Sequence, residues 1–111
     1  MATTLTDWLR GRDDAQLAEL LRRRPDLALP APADLPALAS RLSVRTSVQR
    51  AVDALDELSL RVLEALSLAA ASDGRVRLQA AAELLGELPA ADFERAVDDL
   101  RDLGLLWGAP T

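Results

Sequence analysis

The sequence predicts a mainly α fold: an N-terminal helical subdomain packed on a winged helix-turn-helix-like subdomain with a small two-stranded β element. Three observations lead there. Half of the 111 residues are apolar but only 3% are aromatic, so the core must be made of Leu, Ala and Val, which favours helices over a β-sandwich. Apolar residues recur at helical spacing through most of the chain. From residue 55 onward, the order helix, short alternating segment, helix, turn, helix, short apolar segment is the winged-helix order. A chain of this length buries one core and a small satellite, which divides here into residues 1–54 and residues 55–111.

In the first half, Thr4 or Thr6 caps a short helix containing Asp7, Trp8 and Leu9, which Gly11 stops. Asp13 and Gln16 have capping-box spacing, and Leu17, Leu20 and Leu21 then form a helical stripe. Pro25 ends that helix, because it lacks an N–H and pushes Arg24 out of the α region. Leu27 to Pro32 is expected as an extended connector with Leu27 and Leu29 packed inward. Asp34 caps the next helix, with Pro36 tolerated in its first turn and Leu35, Leu38, Ala39 and Leu42 on one side. Thr46 and Gln49 give a second capping box, opening a helix with Val48, Ala51, Val52 and Leu55 inside.

In the second half, Leu55 to Ala71 reads as one Leu-rich helix with a break near Ser59, its buried face being Leu58, Val62, Leu63, Leu66 and Ala70, widened by Leu60 and Leu68. Ser72-Asp73-Gly74 is a turn. Arg75 to Leu78 alternates polar and apolar and reads as a strand. Gln79 to Leu85 is a compact helix closed by Gly86 at a left-handed C′ position. The helix Ala90 to Gly104 turns Phe93, Val97, Leu100 and Leu103 inward and passes into the apolar strand Leu105-Leu106-Trp107. A wing is a hairpin, and only four residues follow that strand, so the subdomain reads as truncated at the wing unless Leu105–Trp107 pairs with the Arg75–Leu78 strand. The abrupt end suggests a fragment of a longer protein.

Net charge is −5, unevenly spread. Residues 1–54 hold eight Arg against seven acids, whereas residues 55–111 hold five against eleven. The half with the DNA-reading pattern therefore has the wrong sign for DNA. On the Ala90–Gly104 helix, Glu94, Asp98, Asp99 and Asp102 oppose only Arg95 and Arg101. Phosphate repulsion on that face is not easily offset by base contacts of about 1–3 kcal/mol each. Any nucleic-acid contact moves to Arg22, Arg23 and Arg24, with Arg41, Arg45 and Arg50 if the fold gathers them. The plainer reading of the arginine run is complementing a helix C-terminus, with Arg22 pairing to Glu19 or Asp26. Because all thirteen cations are Arg and Lys is absent, a GC-rich coding bias explains Arg usage without invoking phosphate.

Catalysis has little to work with. The chain has no Cys, His, Lys or Tyr, so no nucleophile has an evident activator, the usual zinc ligands are missing, and disulfides are excluded. Adjacent acid pairs such as Asp13-Asp14, Asp56-Glu57 and Asp98-Asp99 point about 100° apart on a helix and do not form a dyad. Calcium-loop and phosphate-loop motifs are absent, so no cofactor and no metal are implied. No apolar run reaches the roughly 20 residues of a bilayer span, and the N-terminus lacks a signal-peptide pattern; the expectation is a cytoplasmic protein away from the membrane. Trp8 reads as a core anchor, while Leu105 and Trp107 read as core or as an interface for a following domain or a second copy, including a homodimer through an open strand edge.

Several elements resemble the N-terminal region of XPB-like helicase-associated proteins of high-GC actinobacteria: Trp8-Leu9-Arg10, Leu17 with Leu20-Leu21, Arg24-Pro25-Asp26-Leu27 followed by Pro30 and Pro32, Arg45-Thr46-Ser47-Val48, the Ala51 to Leu55 helix and the Leu63–Leu66 segment. The resemblance covers nearly the whole chain and carries no catalytic residue onto it. It implies an accessory N-terminal module whose partner is the remainder of the parent protein or another protein, with DNA in the assembly. The expectation is a non-catalytic protein-interaction or domain-docking winged helix, the alternative being DNA binding by the Arg-rich N-terminal half.

Overall fold

In the computed structural model, residues 4–29 and 31–108 are described; Pro30 in the predicted connector and the three residues after Gly108 lie outside them. They form α1 (Leu5–Arg10), α2 (Asp14–Arg23), a 3-10 turn (Pro25–Ala28), α3 (Leu35–Leu42), α4 (Arg45–Asp53), α5 (Glu57–Ala69), α6 (Leu78–Leu85) and α7 (Ala90–Asp102). The chain divides into two units, one running to Ala54 and resuming over Arg101–Gly108, the other spanning Leu55–Leu100. The mainly helical class holds, and among the described residues no helix is long and apolar enough to cross a membrane.

The first unit is nucleated by caps written into the sequence. Thr4 Oγ accepts from Asp7 N at 3.1 Å, and Gly11 closes α1. Asp13 and Gln16 form a reciprocal capping box, at 2.7 and 2.9 Å, and Asp34 accepts from Ala37 N at 2.9 Å to start α3. Leu9, Leu20, Leu27, Leu38, Ala39 and Leu42 then form one core, with Trp8 and Leu17 packed against it. Burying each leucine contributes roughly 1.5–3 kcal/mol, which stabilises short helices that would be marginal alone. Over Trp8 lies the guanidinium of Arg12, 4.6 Å from the ring centroid, and its Nη2 reaches Asp102 Oδ1 at 3.3 Å.

Several local expectations are corrected. Thr46 is not a cap: α4 starts two residues earlier, at Arg45 behind Val44, which offers no side-chain acceptor, and Gln49 instead donates to Asp53 at 2.8 Å. The break before α5 lies ahead of Asp56, whose carboxylate caps Ser59 N at 2.7 Å, so Ser59 sits buried inside the first turn. Leu27 packs as predicted, but as part of the 3-10 turn, and Leu29 faces solvent.

In the second unit, α5 and α6 pack together. Ser59, Val62, Ala65 and Leu66 of α5, Ala81 of α6, and Ala96, Val97 and Leu100 of α7 are buried; three of these are alanines, whose small side chains allow close helix approach. Leu68, expected to widen the buried face, is exposed. The Ser72–Gly74 turn forms as predicted, with Asp73 accepting from Arg75 N at 3.0 Å and Gly74 at φ 83°. Gly86 caps α6 with positive φ but outside the left-handed helical well, at φ 46° and ψ −76°.

The predicted two-stranded β element is not present: no strand forms among the described residues. Arg75–Arg77 is irregular backbone, tied across its own turn by Ala71 N donating to Arg75 O at 2.7 Å, and Leu78 is already the first residue of α6. Four alternating residues cannot tell a strand from a loop leading into a helix, and an unsupported two-stranded pair is marginal in water. Leu105–Trp107 is a bend between Gly104 and Gly108, at φ 70° and 99°, which Arg101 closes by donating to Gly108 O at 3.3 Å. No strand forms over Leu105–Trp107, the edge on which the homodimer expectation rests.

Candidate functional site

Of the six arginines predicted to gather as a nucleic-acid contact, three, Arg22, Arg24 and Arg41, donate hydrogen bonds within the chain, and Arg45 and Arg50 are exposed. Arg22 and Arg23 complete the last turn of α2, where cations complement the helix dipole. Arg22 donates through Nε to Glu19 at 2.9 Å. That hydrogen bond holds the Glu19 carboxyl below its ordinary range and raises the Arg22 guanidinium above its own. Arg41 donates from Nη1 to Leu27 O at 3.0 Å, securing the 3-10 turn to α3. Arg45, at the first position of α4, is exposed.

Arg24 is the largest departure from expectation. It leaves the helical region at φ −127°, ψ 71° because Pro25 follows, and it is 1% exposed. Its Nη1 donates to Leu103 O at 2.9 Å, and its Nη2 donates to Leu42 O at 3.2 Å and to Ser47 Oγ at 2.8 Å. Ser47 in turn donates to Asp26 Oδ2 at 2.6 Å. A charge is thus held inside the first unit by carbonyl dipoles and by a serine that relays it to a carboxylate, the condition under which burying a cation is tolerable. Burial depresses the guanidinium pKa below its ordinary value, and Asp26 partly opposes that. Nε has no acceptor among the described residues, so within them the network is nearly, though not wholly, satisfied.

This cluster resembles nucleophile chemistry only on paper. Ser47 is buried, its proton is given to Asp26 and its oxygen is engaged by Arg24, so it acts as a clamp between α4 and the end of α2. Among the described residues no group of three or more side chains could hold a metal ion.

On the outer side of the same corner lies an open groove of about 480 Å³. Pro25, Leu29, Ala51 and Ala54 supply its apolar lining, and Arg23, Arg24, Arg50 and Asp26 its charges. Two exposed or half-exposed members of the predicted arginine set, Arg23 and Arg50, therefore do share a site, although Arg45 and Arg41 do not line it. Leu29 was not foreseen here; its place in a proline-rich connector, with no helical stripe to join, was the available signal. Arg12, bridging Trp8 and Asp102, was also missed, and nothing local marks it. Trp107 is 41% exposed and Leu105 half-buried. On α7, Glu94 and Asp98 face solvent and Arg95 pairs with Asp92 at 3.6 Å. Compared with known proteins, the chain matches no family model, no curated protein and no solved structure.

Proposed function

We propose that this chain is a non-catalytic docking module that works by protein–protein contact, as an accessory part of a larger helicase-associated protein. The observation that carries the reading is the internal use of its arginines. Arg24 is buried, Arg22 is tied to Glu19 and Arg41 to Leu27 O, so three of the six arginines proposed for a phosphate backbone already have partners within the chain. Leu29, 80% exposed, and Trp107, 41% exposed, are large apolar side chains that a protein partner could cover. The helix-turn-helix part of the winged-helix expectation, α6 and α7, carries an acidic outer face that suits a protein partner better than a major groove. The link to a helicase-associated parent rests on the Arg24–Leu27 and Arg45–Val48 motifs.

The alternative, DNA binding by the N-terminal half, is favoured by one observation: Arg23 and Arg50 line a single groove. Titration of labelled duplex and single-stranded DNA at about 50 mM salt separates the two readings. The docking reading expects no binding tighter than roughly micromolar. Tighter binding that weakens steeply with salt, and that is lost in Arg23→Ala/Arg50→Ala, would replace it with the DNA reading.

A further inference from the structure

We draw no further inference here: the strongest candidate, the open groove at the ends of α2 and α4 lined by Pro25, Leu29, Arg50, Ala51 and Ala54, carries nothing because nothing in the structure shows what covers it.

Discussion

At the residue scale, the arginine run shows how little identity says about role. Arg22 serves a surface pair, Arg23 a groove wall and Arg24 the core, although the three are neighbours. The difference is periodic: Arg24 continues the Leu17, Leu20, Leu21 stripe at spacings of seven, four and three, so it is the member that points inward. Ser47 likewise precedes buried Ala51 by one helical turn. Ser47→Ala removes an acceptor from Arg24 and a donor from Asp26, and should lower unfolding free energy in urea by about 1–3 kcal/mol. Arg24→Lys keeps the charge but not the fork that reaches Leu103, Leu42 and Ser47, and should cost at least about as much. If either variant matches the parent within about 0.5 kcal/mol, the network contributes nothing to the fold.

At the scale of elements, caps decide where helices start, and two threonine- and aspartate-led sites with the same spacing behave differently. Asp13 bonds Gln16 reciprocally, whereas Thr46 lies inside α4. Asp13→Ala should therefore destabilise by about 0.5–2 kcal/mol and Thr46→Ala by only a few tenths, measured by thermal unfolding. The bend after α7 depends on Gly104. Its φ is 70°, and a Cβ there would lie 2.9 Å from Leu42 Cδ2. Gly74 also has positive φ but open space around it. Gly104→Ala should consequently cost about 1–3 kcal/mol more than Gly74→Ala, since strain in the backbone is joined by overpacking of the first core. Equal losses would show that Leu42 moves aside freely.

At the scale of the whole chain, the first unit is discontinuous: residues to Ala54 are completed by Arg101–Gly108. Leu103 is 4% exposed and its carbonyl receives Arg24. A chain ending at Leu100 should lose about 3 kcal/mol or more, from one buried leucine and the orphaned guanidinium donor. Circular dichroism melts of that truncation should show the loss in the helices of the first unit; a melting curve unchanged from the full chain would mean that residues 5–54 hold together without the returning segment.

Helical class, most caps, the turn at Ser72–Gly74 and the principal buried leucines were fixed by sequence, because they depend on periodicity and on hydrogen bonds that close within four residues. The same local logic failed at Arg75–Leu78 and Leu105–Trp107, where four or three residues carry too short a pattern to separate a strand from a bend. Only the tertiary structure decided that Arg24 is a core residue, that Arg23 and Arg50 share a groove with an exposed Leu29, and that the end of α7 returns to the first unit. Its reason is distance along the chain: the acceptors of Arg24 lie 18, 23 and 79 residues away, beyond any repeat that a single helix can write.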